Sequence, residues 1–158
     1  PNRPKSRGFV EIKSKNYFDC PKIQFNYLEE EEDLQQMRDS VKIANKIFKQ
    51  DSMKKYLGDQ LRPGYNYNTE KELDEIIRDT ADTAYHPSCT NKMGIDKMSV
   101  VDQETKVYGI DNLRVIDSSI MPDILSGNIN AGTIMIAEKA ADMILGKEET
   151  PINAKYYK

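Results

Sequence analysis

Apolar positions along the chain recur with two different periods. Between Arg7 and Lys13, Phe9, Glu11 and Lys13 share one face while Val10 and Ile12 share the other, and between Lys22 and Tyr27 the residues Ile23, Phe25 and Tyr27 fall together. A period of two is that of a half-buried strand, so the two runs predict an antiparallel hairpin with Asn16 to Pro21 as its connection. From about Glu30 to Lys49 the period lengthens. Leu34, Met37, Val41, Ala44 and Phe48 recur at spacings of three and four, which makes one stripe along a helix. The acidic run Glu29 to Asp33 suits the start of that helix and Lys46 and Lys49 suit its end. Residues 58–68, rich in Gly, Pro, Asn and Tyr, predict a surface loop. Thr69-Glu70-Lys71-Glu72 then has the capping-box pattern, followed by Leu73, Ile76 and Ile77 on one face of a helix ending near Asp79. Met98–Val101, Lys106–Tyr108 and Leu113–Ile116 are short apolar runs that predict strands, the last two joined by a turn at Gly109 to Asn112.

The stretch from Asn112 to Gly146 organises the second half. The strand Leu113–Ile116 ends at Asp117. A polar loop, Ser126-Gly127-Asn128-Ile129-Asn130, precedes a nearly all-apolar helix from about Ala131 to Leu145, closed by Gly146 at the position past its end. Only Glu138, Lys139 and Asp142 interrupt its apolar surface, which predicts burial on most sides. The helix start offers unpaired N–H groups and the positive end of a dipole, favourable to a ligand atom that carries or acquires negative charge. The alternative is an ordinary connection whose asparagines only cap the helix. The segment from Lys147 to Lys158 is polar and predicts a tail.

Composition narrows the classes. The chain of 158 residues is 38% apolar and 31% charged, enough for a modest core. A net charge of −3, from 23 basic and 26 acidic residues, gives no case for nucleic acid or an anionic membrane as partner. Cys20 and Cys89 stand 69 residues apart and fit no metal-ligand spacing; they read as reduced thiols of a cytoplasmic-type protein. No apolar run approaches the ~20 residues of a membrane span. The start at Pro1, without Met, suggests a fragment or a processed piece.

One histidine, His86, lies in T-A-Y-H-P-S-C-T, a segment without helical period where a proton-exchanging imidazole is well placed; the alternative is a packed or simply exposed side chain. Ser118, Ser119 and Ser126 could supply a hydrolase nucleophile, but no G-x-S-x-G elbow is present. One His and two distant Cys cannot form the usual metal-ligand set. No two of the eight glycines are separated by a single residue, so the chain holds no dinucleotide or Walker-type phosphate loop.

Taken together, T-A-Y-H-P-S-C-T-N-K-M-G, V-V-D, N-L-R-V-I-D-S-S-I-M-P and S-G-N-I-N-A-G-T-I-M-I-A-E-K-A-A-D resemble the C-terminal part of glucose–methanol–choline (GMC) oxidoreductases, closest to the choline-oxidising branch. P-K-S-R-G-F-V-E-I-K-S and E-L-D-E-I-I-R-D extend the likeness over roughly residues 4–147. Asn91 stands where close relatives often carry another Cys, and Gly132 where many carry Pro. The resemblance implies an α+β fold. A predominantly antiparallel sheet with helices on one face would form a substrate-binding portion over residues 1–105. A strand–loop–helix over 106–147 would belong with the FAD-binding domain, and 148–158 would be tail.

The resemblance also implies an alcohol oxidation in which hydride passes to FAD, choline becoming betaine aldehyde. His86 matches the first member of the family's catalytic pair and Asn128 the second, with Asn130 as the fallback for that amide. Tyr85, Asp117, Ile129, Asn130 and Ala131 match flavin-contacting positions; no metal is implied. A neutral imidazole can take the hydroxyl proton and an amide can orient the alkoxide-like oxygen, while the helix start can stabilise charge gathered on reduced flavin.

In the family that the chain resembles, an N-terminal portion supplies the Gly-rich FAD fold and part of the substrate cage, so the resemblance implies that this chain is a C-terminal fragment. The expectations are therefore an incomplete FAD pocket, no dehydrogenase activity from the isolated chain, and an unpartnered apolar helix that favours a homo-oligomer. The expected location is cytoplasmic, the full-length enzyme lying peripheral to the bacterial inner membrane. Competing readings are a GMC enzyme for another alcohol and a cofactor-free binding domain on the same fold.

Overall fold

A computed structural model describes residues 3–61 and 66–147. Among the described residues, four helices and one two-stranded antiparallel sheet give the α+β class. The chain divides into two compact units, residues 1–85 and 86–158.

In the first unit, β1 (Phe9–Glu11) pairs with β2 (Lys22–Gln24), Val10 opposite Ile23. The hairpin is where the alternation places it, but its strands are exposed on both faces rather than half-buried: Val10 and Ile23 keep 50% and 53% of their surface. The pattern specifies which side chains share a face; burying that face takes a covering layer, which the described residues do not provide.

The helices of this unit pack on each other. α1 (Glu31–Phe48) turns Leu34 inward to meet Leu73 and Ile77 of α3 (Glu70–Thr80), with Leu28, Met37, Val41 and Tyr67 around them. Only the first half of the α1 stripe is covered; Ala44 and Phe48 are exposed, as are Ile43 and Ile47 outside the stripe. α2 (Asp51–Lys54) is a single turn after α1.

Thr69 caps α3 as its sequence predicts. Its side chain accepts the Glu72 N–H at 3.2 Å while the Glu72 carboxylate accepts the Asn68 N–H at 2.7 Å.

The start of α1 is capped from elsewhere in the chain. Asp33 is fully buried and accepts the N–H groups of Lys5 and Ser6, both at 2.7 Å, and the Ser6 hydroxyl at 2.5 Å; Ser6 Oγ accepts the Glu30 N–H.

Arg38 joins the two long helices. Its Nε and Nη2 donate to the two carboxylate oxygens of Asp74 at 2.5 and 2.7 Å, and Nη1 reaches Glu31 and Gln35. The fork fits the planar carboxylate at both oxygens, which fixes rotation as well as distance.

The second unit is built on turns. Backbone N–H groups of Cys89, Asn91 and Met93 donate to the carbonyls of Ser118, Ser119 and Ile120, and residues around Val100, Val107 and Arg114 pair in short antiparallel contacts. The strands expected at Met98–Val101, Lys106–Tyr108 and Leu113–Ile116 appear only as isolated pairings. Turns interrupt them too often for a ladder: Asp102 Oδ1 holds the N–H groups of Glu104 and Lys106, and Gly109 and Asn112 adopt positive φ of 77° and 60°.

Val101, Ile120, Met121 and Ala140 are the buried apolar residues here. α4 (Asn130–Ile144) matches the predicted helix within a residue at each end, and Gly146 follows it at φ 63°. Its expected burial on most sides does not hold. Ala140 alone is fully buried, and Ile134, Met135, Ile144 and Leu145 stay 54–66% exposed. The helix rests one side on the short 3-10 turn Ser118–Ile120 and the residues after it, and nothing among the described residues covers the rest. The tail expectation, 148–158, lies outside the described residues.

Candidate active site

His86 opens the second unit and is exposed. The chain reaches it through a locked turn: Asp82 accepts the Thr83 N–H, Thr83 Oγ1 accepts the Tyr85 N–H, and the Tyr85 hydroxyl donates to both Asp82 oxygens at 3.0 and 3.2 Å. Tyr85 itself holds a φ of 58°, uncommon for a bulky residue. The hydrogen bond to the Asp82 carboxylate, and the charge behind it, push the Tyr85 phenol above its ordinary value. Three residues beyond His86, Cys89 again takes positive φ, 70°, and its N–H anchors the segment on Ser118 O at 3.3 Å.

Asp117 caps the 3-10 turn, Oδ1 accepting the Ser119 N–H at 2.7 Å. Its local role is thus a turn cap, and the carboxylate is otherwise exposed. Ser118 follows and turns its hydroxyl to Thr133 in the first turn of α4, Oγ to Oγ1 at 2.8 Å. Thr133 Oγ1 and N–H both donate to Ile129 O at 2.9 Å.

At the helix start, Asn128 Oδ1 accepts the Asn130 N–H at 2.8 Å. This is the capping that the residue pattern offered as the plainer reading, and it carries a chemical consequence. With the amide oxygen committed to Asn130, the exposed side chain presents its NH₂ as a donor. The N–H groups of Ile129, Ala131 and Gly132 belong to the first turn, which has no intrahelical acceptors for them.

The residues expected to carry the site therefore fall into three groups. Asp117 and the turn Asn128–Ala131 are tied through Ser118 and Thr133, and the segment bearing His86 is tied to the same Ser118 through Cys89. Tyr85 closes the other unit and is held by its own neighbours.

Sequence reading weighed Ser118 only as a nucleophile and passed over Thr133. A threonine one turn into a helix, facing a serine that follows a capping Asp, was the available signal. Two open grooves, about 950 Å³ beside Lys106–Leu113 and about 570 Å³ along Ile12–Pro21, include none of the expected site residues.

A fold of this class with an exposed His segment, a capped Asn turn and a donor-rich helix start has recognisable relatives. The GMC oxidoreductase family model of the C-terminal portion matches residues 4–137, and the chain belongs to that family. It is 50% identical over 153 residues to a protein from Vibrio vulnificus (strain YJ016) named oxygen-dependent choline dehydrogenase, covering 96% of this chain and 27% of that one.

Among solved structures it is similar to pyridoxine 4-oxidase from Mesorbium loti, with a TM-score of 0.84 and 32% identity over 94% of this chain and 29% of that one. It is similar also to formate oxidase of Aspergillus oryzae RIB40, in a structure concerned with FAD modification, with a TM-score of 0.81 and 32% identity over 90% of this chain and 25% of that one. The chain thus spans about a quarter of the length of the relatives it matches.

Proposed function

We propose that this chain is the C-terminal portion of an FAD-dependent enzyme that oxidises choline to betaine aldehyde. The observation that carries the reading is 50% identity, over nearly the whole chain, to a protein named for choline dehydrogenation. In this reading residues 1–105 contribute to the substrate-binding portion and 106–147 return to the flavin-binding domain.

His86 accepts the hydroxyl proton of the alcohol, the role an exposed neutral imidazole can fill near neutral pH. Asn128 donates from Nδ2 to the same oxygen and holds it as charge develops. That assignment is favoured over Asn130 because the bond from the Asn130 backbone N–H occupies the Asn128 amide oxygen and so fixes which end of the exposed Asn128 side chain is the donor.

The donor set at the start of α4 fits an electron-rich ring edge: N–H groups without intrahelical acceptors and the positive end of a 15-residue helix meet at one point. Ile129, Asn130 and Ala131 would hold the flavin there, with Asp117 and Tyr85 as further contacts. FAD, when bound, supplies the hydride acceptor. The chain has no phosphate-binding glycine loop, so the isolated chain neither retains FAD nor turns over choline.

The test is anaerobic mixing of choline with the flavin-loaded enzyme that carries this sequence, following the flavin absorbance. Bleaching at a rate that falls at least ~100-fold in His86→Ala supports the reading, a loss within the range for a proton-transfer group. Bleaching with pyridoxine or formate but not choline would move the substrate elsewhere in the family, and no bleaching with any alcohol would overturn the function.

A further inference from the structure

We infer that Ser118 and Thr133 are positioning residues, a hydroxyl bridge that sets the spacing of the three segments on which the proposed site depends. The inference rests on the proposed alcohol oxidation and adds to it residues that take no part in the chemistry.

Ser118 makes three connections. Its backbone carbonyl accepts the Cys89 N–H at 3.3 Å and so holds the segment bearing His86. Its preceding residue is Asp117, whose carboxylate caps the turn Ser118 begins. Its hydroxyl meets Thr133 Oγ1 at 2.8 Å. Thr133 in turn bonds Ile129 O through both its hydroxyl and its N–H at 2.9 Å. Ile129 is the residue directly after Asn128.

Protons can be assigned along this path. The Thr133 hydroxyl donates to Ile129 O, so the Ser118 hydroxyl donates to Thr133 Oγ1, which accepts on a free lone pair. Both side chains are half-buried, where water competes less for the bond.

α4 needs such a tie. Most of its apolar surface is exposed, and among the described residues the element it touches is the 3-10 turn that begins at Ser118. A directional bond at its first turn fixes the helix against that 3-10 turn both along and about its axis. A displacement of 1 Å between a proton acceptor and an orienting amide is enough to cost about 100-fold in rate.

The experiment uses the flavin-loaded enzyme carrying this sequence with Thr133→Val, Thr133→Ser, Ser118→Ala and the double variant Ser118→Ala/Thr133→Val. Expected for Thr133→Val is a fall in kcat of about 10- to 100-fold, KM within about twofold, and flavin content unchanged. Thr133→Ser restores kcat. The double variant is no slower than Thr133→Val alone, because both changes remove one bond.

Lower thermal stability with kcat per bound flavin unchanged would mean a merely structural bond and would overturn the inference, as would failure of Thr133→Ser to rescue. Variants unaffected in an enzyme that does oxidise an alcohol sink this inference alone. A wild-type enzyme inert to every alcohol sinks it together with the functional reading.

Discussion

Asn128 is where capping and chemistry compete for one side chain, and substitution can separate them. Asn128→Asp keeps an acceptor for the Asn130 N–H, whereas Asn128→Ala removes it at a cost of about 1 kcal/mol in helix stability. Both remove the amide donor. The expected result is a thermal midpoint lowered in the Ala variant only, with turnover reduced at least ~100-fold in both. Retained turnover in Asn128→Asp would restrict the residue to capping.

Asp33 is a second residue whose surroundings decide its behaviour. Burial pushes its carboxyl up, but the hydrogen bonds from the Ser6 side chain and from the Lys5 and Ser6 backbones outweigh that and hold it below the ordinary value of 3.8. A depressed pKa in the folded state means the carboxylate's contribution is complete above pH 3.8 and is lost as pH falls through the lower folded value. Asp33→Asn should therefore cost about 2–3 kcal/mol of unfolding free energy at pH 7. The gap from wild type should narrow in acid, as denaturant titrations at pH 7 and pH 3 would measure. An equal gap at both would remove ionisation from the account.

At the scale of elements, the α1–α3 pair depends on Arg38. The hydrogen bonds and opposite charge from Arg38 hold the Asp74 carboxyl below its ordinary value, and the Arg38 side chain is only 10% exposed. Removing one partner of a largely buried pair leaves the other unpaired. Arg38→Ala should therefore destabilise the first unit by about 3 kcal/mol. Arg38→Met with Asp74→Leu should recover most of that loss, because apolar replacements of similar volume need no partner. Lys42 and Glu70, both largely exposed, should contribute under ~1 kcal/mol when broken.

At the scale of the molecule, apolar faces of the described residues are left uncovered in both units. Phe9, Val10, Ile23 and Phe25 on the hairpin, and Ile134, Met135, Ile144 and Leu145 on α4, are each at least 39% exposed. Such surfaces mark places where protein should cover protein. We expect the isolated chain to self-associate and to bind a hydrophobic dye, with mass rising with concentration in light scattering. A concentration-independent monomer that binds no dye would contradict the expectation. No helix among the described residues is long and apolar enough to cross a membrane.

The sequence by itself determined the long helices, because their causes are local. The three-and-four spacing from Leu34, the Thr69–Glu72 box and the apolar run closed by Gly146 each specify a helix from a dozen neighbouring residues. The motifs around His86, Asp117 and Asn128 likewise carried the family before any coordinates. Long-range partners were not legible in this way. That Asp33 binds residues 27 and 28 positions earlier, that Arg38 reaches Asp74, and that Ser118 meets Thr133 depend on how the chain returns upon itself. The exposure of α4 and the hairpin likewise does not follow from their periodicity: an apolar face records a need for cover, and only tertiary structure decides whether something meets it.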